Sequence, residues 1–151
     1  MNKLTEANPQ TTQDAVSQSQ PAQAGGHAQF VGSIPEIYDT HLGPLLFQFS
    51  GADLPRRVGQ ARPGNIKLLE VACGTGRATE HLWQALSPQS EIVATDLNPA
   101  MLDFAKEKRG ALQNVSYRQA DVQELPFDDG SFDAVACQFG IMFVPDKAKA
   151  F

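Results

Sequence analysis

Four residues in the middle of the chain have types and spacing that suit ligand chemistry: Glu70, Gly74, Gly76 and Asp96. Gly74-Thr75-Gly76 falls between an apolar run and a helix-like segment, where missing side chains let a ligand approach the backbone. A lone Gly-x-Gly also fits an ordinary tight turn, so its surroundings decide. Asp96 stands twenty-two residues after Gly74 at the end of the next apolar run. At that spacing a carboxylate can accept hydrogen bonds from two ribose hydroxyls, which points to an adenosine-containing ligand. A helix cap or turn acid beside Asn98 is the competing reading of Asp96. Glu70, four residues before Gly74, repels a pyrophosphate but suits a ligand carrying an ammonium and a sulfonium. Thr79 stands where a nicotinamide fingerprint has its third glycine. Charge therefore favours S-adenosyl-L-methionine over NAD, with Glu70 as a salt-bridged acid the plainer alternative.

Positioning these residues takes alternating strands and helices. Residues 66–72 form a short apolar run ending at the glycine turn, as a buried parallel strand does. Ala78, Leu82, Ala85 and Leu86 recur at helical spacing up to Ser87-Pro88, and Trp83 borders that face as packing. Residues 91–95 read as a second strand with Asp96 at its carboxyl end, and Asn98-Pro99 caps and opens a helix running to about Lys108. Residues 114–119 make a third strand with Val115 and Tyr117 on one face, followed by Asp121. A turn at residues 127–130 leads into a fourth, very apolar strand over residues 132–139. Strands joined by helical crossovers predict a partial doubly wound parallel sheet with helices on both faces.

Upstream, residues 1–29 are rich in Gln, Ser, Thr, Ala and Gly and are expected to form a disordered tail. Residues 30–62 read as an N-terminal helical cap, with a helix opened by Pro35, an interruption at Gly43-Pro44 and a polar stretch from Ser50 to Pro55. Residues 63–151 read as the cofactor-binding domain.

Bulk properties narrow the partners. A chain of 151 residues, 42% hydrophobic, buries one moderate core. A net charge of -5 is the wrong balance for neutralising phosphates, so Arg56, Arg57 and Arg62 read as solvated surface and no nucleic-acid partner is expected. Neither a secretory leader nor a stretch of membrane-spanning length is read from the sequence. Cys73 and Cys137 read as small buried hydrophobes in a reducing, cytoplasmic setting, and no metal is expected.

The stretch Glu70-Val71-Ala72-Cys73-Gly74-Thr75-Gly76, then 96–102, then Asp121-Val122 and 125–133, resembles the class I, Rossmann-type methyltransferases, nearest the group that includes quinone-biosynthesis C-methyltransferases. The resemblance spans about residues 66–146 and implies a strand order of 3-2-1-4. It implies that Glu70, Cys73, Gly74 and Gly76 surround the methionine portion of S-adenosyl-L-methionine, that Asp96 holds the ribose and that Leu97 lies against adenine. Asp121 then accepts from the adenine amino group, Val122 contributes its backbone, and Gln138 and Phe139 complete the cleft. Tyr38 reaches the cofactor if the N-terminal helices fold over it, and is otherwise an ordinary packed tyrosine.

The implied reaction is methyl transfer to a small-molecule acceptor, with no catalytic residue identified. Such sheets usually continue past the fourth strand, and the stop at Phe151 is read as a truncated product or a fragment that self-associates or is completed by another chain through the exposed edge of that strand. Two other classes stand beside this one: an NAD(P)-binding oxidoreductase fragment, opposed by Glu70 and Thr79, and a non-catalytic module completed by a partner.

Overall fold

The computed structural model describes residues 32–151, so the expected tail at residues 1–29 lies outside the described residues. Helices come first: α1 (Ile34–Ile37), a π-helical turn (Tyr38–Leu42), α2 (Gly43–Ser50) and α3 (Asp53–Ala61). Then follow β1 (Lys67–Glu70), α4 (Arg77–Ala85), β2 (Glu91–Asp96), α5 (Pro99–Arg109), β3 (Val115–Gln119), β4 (Ala134–Ala136), a 3-10 turn (Ile141–Phe143) and α6 (Lys147–Ala150).

The four strands form one parallel sheet in the order β3-β2-β1-β4. Leu68, Ile92 and Ala134 lie in register across β1, β2 and β4, and Glu70, Ala94 and Ala136 do so two residues on. The side-chain period of two therefore puts all six on one face. Val58 of α3 and Leu82 and Leu86 of α4 pack there on Leu68, Ile92 and Ala136, while Leu102 of α5 packs with Ala94, Cys73 and Tyr117. Helices were expected on both faces; α3, α4 and α5 all lie on this one. The β3–β4 connection carries Pro126, Gly130 and a turn closed by Ser131 N donating to Asp128 O, and no helix. On the reverse face, where Leu69 and Val93 lie in register with Val135, the last is 62% exposed.

Three local expectations are corrected. Gly43-Pro44 does not stop the N-terminal helix. The intervening π turn lets the Gly43 N–H donate to Tyr38 O, and Pro44 sits in the first turn of α2, where a missing N–H costs nothing. Ser50 to Pro55 is not simply a polar connection, because Asp53 opens α3 and Pro55 again occupies a first turn, with Val58 and Pro55 on its buried side. The fourth strand is three residues long, not eight. Asp133 begins the pairing by donating its N–H to Lys67 O, and Phe139, at φ 60°, has already left the extended region.

Candidate functional site

A cavity of about 450 Å³ lies at the carboxyl ends of β1, β2 and β4. The chain winds from β1 to β2 on one side and reaches β4 on the other, so the strand order reverses between β1 and β4, the usual place for a ligand in an open parallel sheet. Two non-glycine residues on its wall hold left-handed backbone, Ala72 (φ 53°) and Phe139 (φ 60°), in the connections that follow β1 and β4. Gly140 is what lets the two connections meet, since a Cβ there would overlap the Cβ of Ala72.

The structure brings ten of the eleven sequence-predicted residues to this wall: Tyr38, Glu70, Cys73, Gly74, Asp96, Leu97, Asp121, Val122, Gln138 and Phe139. Gly76 is not among them. It sits at φ 83° as the left-handed residue before α4, and a Cβ there would press on Arg109 Cδ (3.2 Å), Ala105 Cβ (3.3 Å) and the Tyr117 hydroxyl (3.4 Å). Gly74, at φ 57°, faces the other way: a Cβ would meet nothing within 4 Å. The two glycines thus have different jobs, one admitting the loop against α5 and the other leaving room in the cavity.

Glu70 is the site's unusual group. Its carboxyl is 1% exposed and Oε2 has no hydrogen-bond partner. Burial pushes its pKa up to about 8; the Thr79 hydroxyl pulls the other way without reaching hydrogen-bond geometry, and nearby Asp96 adds a further upward push. Gln138 donates Nε2 to Ser50 O at 3.0 Å, which leaves its Oε1 buried and without a donor. Two buried acceptors on one wall are costly unless a donor-rich ligand meets them.

Asp96 joins the strand end to the glycine loop: Oδ2 accepts from Gly74 N at 2.7 Å and Oδ1 from Asn98 N at 2.8 Å. Burial raises its pKa, and those backbone donors oppose the shift. Each oxygen keeps a second lone pair for a ligand hydroxyl. The neighbouring cap belongs to Asn98, whose Oδ1 accepts from Ala100 N at 2.9 Å and Met101 N at 3.4 Å. Asp121 Oδ1 accepts from Gln123 N at 2.8 Å, and Gln119 Nε2 holds Leu97 O at 2.9 Å, fixing the backbone under an apolar side chain left exposed at the cavity.

Residues 68–151 match a family described as a methyltransferase domain. The chain belongs to that family. Among curated relatives, this methyltransferase domain is 43% identical over 88 residues to the ubiquinone/menaquinone biosynthesis C-methyltransferase of Idiomarina loihiensis, covering 56% of the present chain and 35% of that protein. It is 44% identical over 84 residues to a demethylmenaquinone methyltransferase of Staphylococcus aureus, again covering 56% and 35%. The chain thus spans about a third of the length of these relatives.

Among solved structures it is similar to S-adenosylmethionine-bound CalS10, an amino pentose methyltransferase from Micromonospora echinaspora, at 34% identity and a TM-score of 0.54, covering 67% of this chain and 40% of that one. A methyltransferase from Aquifex aeolicus, at 19% identity and a TM-score of 0.63 over 78% of this chain and 62% of that one, shares the fold. The oxidoreductase alternative is not favoured by these similarities.

Several wall residues escaped the sequence reading: Phe47, Arg77, Met101 and Phe143. Phe47 packs edge-on to Phe139 with ring centroids 5.8 Å apart. No local signal marks such a residue, because its partner lies far along the chain.

Proposed function

We propose that this domain binds S-adenosyl-L-methionine in the cavity and serves methyl transfer to a small-molecule acceptor. The observation that carries the reading is the buried carboxyl of Glu70, whose Oε2 has no partner, beside Asp96. A ligand with an ammonium supplies the missing donors, whereas a pyrophosphate meets two acids. Glu70, Cys73, Gly74 and Gln138 hold the methionine portion, with Gly76 supporting the loop from behind. Asp96 accepts from the ribose hydroxyls, Leu97 covers the adenine face, and Asp121 with the Val122 backbone meets the adenine edge. Tyr38 and Phe139 close the cleft.

When bound, S-adenosylmethionine supplies a methyl group on a positively charged sulfur leaving group. The protein's share is alignment and exclusion of water, so no residue is assigned as a base. The acceptor reading follows the named relatives: an electron-rich ring of the quinone-precursor type. Aromatic and apolar side chains at the cavity, Phe47, Phe139, Phe143 and Val144, suit such a ring.

Calorimetric titration of the Asp96→Ala variant tests the ribose assignment. Loss of charge-assisted hydrogen bonds is expected to weaken S-adenosylmethionine binding by about 1 to 3 kcal/mol, and unchanged affinity would remove Asp96 from the site. Transfer of a labelled methyl group to a demethylmenaquinol-type acceptor, measured on this chain beside a longer version of the gene, separates a self-sufficient enzyme from a module that needs further chain or a partner.

A further inference from the structure

Four charged side chains from three elements converge beside the glycine loop. Asp39 lies in the π turn next to Tyr38, Arg77 opens α4, Glu80 is one turn further on, and Arg109 ends α5. Asp39 Oδ1 is 3.0 Å from Arg77 Nε and 3.3 Å from Arg109 Nη2, and Arg77 Nη2 also donates to the Asp39 main-chain oxygen. Arg109 spends its other donors on Glu80 Oε2 (2.9 Å) and on Thr75 O of the glycine loop (2.9 Å). The Asp39 and Arg109 side chains are only 14% and 9% exposed, so these are desolvated pairs whose disruption strands a buried charge. Gly43 shows how closely the N-terminal segment docks, because a Cβ there would run into the Arg77 guanidinium.

We propose that Asp39 is a positioning residue. It latches residues 34–50, and with them Tyr38 and Phe47 on the cavity wall, onto Arg77 and Arg109, and so sets how long a bound cofactor stays. Arg109 grips the glycine loop and the latch with one guanidinium, which couples the conformation of the loop to closure of the segment above it. The residence-time consequence rests on the reading of the cavity as a cofactor site; the latch itself does not.

Hydrogen exchange on the ligand-free 151-residue chain, compared with Asp39→Asn, reads the latch directly. Exchange over residues 34–50 is expected to rise about tenfold while the strands at residues 67–70 and 91–96 keep their protection. In the second arm, displacement of S-adenosylhomocysteine is expected to be about tenfold faster in Asp39→Asn with association changed less than about threefold, and Asp39→Glu is expected to restore most of the difference. Unchanged exchange at residues 34–50, an equal rise in the strands at residues 67–70 and 91–96, or a release rate within about twofold of the unsubstituted chain would each overturn the proposal. A chain that shows the exchange difference but binds no S-adenosylhomocysteine keeps the latch and defeats the cofactor reading instead. Should Asp39→Asn not fold, Arg77→Lys, which cannot span the Asp39 carboxylate and carbonyl together, is expected to shift both readouts in the same direction.

Discussion

Glu70 shows how a single side chain can report on a ligand. With its pKa raised to about 8 by burial, it is mostly neutral at pH 7, whereas in an unfolded chain it ionises near its ordinary value of 4.5. Between those two values the folded state holds a proton that the unfolded state has lost. Its contribution to stability therefore falls as pH rises through that window and levels off above about 8. Glu70→Gln, permanently neutral, is expected to flatten this slope in thermal melts from pH 5 to 9. An unchanged slope would assign the pH dependence to other groups.

A cationic ligand reverses the preference and favours the carboxylate. Binding of S-adenosylmethionine at pH 7 is thus expected to release up to about one proton, seen as a dependence of the calorimetric enthalpy on buffer ionisation heat that fades above pH 9. The placement of Glu70 and Asp96 on one cavity wall was legible from their types and spacing alone. The grip of Asp39 on Arg77 and Arg109 was not, since nothing local marks a pair separated by 38 residues.

At the level of elements, strands buried by parallel pairing and helices opened by clear caps were readable: β1, α4, β2, α5 and β3 fall where apolar runs and the Asn98-Pro99 cap put them. Proline and glycine misled the reading upstream. Pro44 looked like an interruption and Pro55 like the end of a polar stretch, and both instead sit in first turns, a distinction that depends on whether the preceding residues already curl as a helix. The fourth strand was read too long because apolarity continues to Phe139, but pairing ends with Ala136, where the chain turns to meet Ala72. The two glycines of the loop were alike in the sequence and differ in their surroundings. Gly76→Ala strains a left-handed residue against Arg109 and Ala105, and is expected to cost about 1 to 3 kcal/mol in urea unfolding. Gly74→Ala is expected to carry only the backbone strain in unfolding and, on the proposed reading of the cavity, to cut cofactor affinity. Equal unfolding losses with no difference in binding would contradict this division of labour.

For the molecule as a whole, the sheet presents one covered face and one with Val135 exposed, and the cavity depends on elements from both ends of the described residues. Tyr38 and Phe47 come from the N-terminal helices, and Phe143 and Val144 from beyond β4. Such a cavity forms only if the whole described region folds together, so ligand binding is expected to raise the unfolding temperature of the chain in a single transition. The reading of the cavity is decided most directly by calorimetric titration of the chain with S-adenosylmethionine, S-adenosylhomocysteine and NAD in parallel. Saturable binding of the two sulfur ligands with no response to NAD is the predicted result, and tight NAD binding with no response to either sulfur ligand would contradict it.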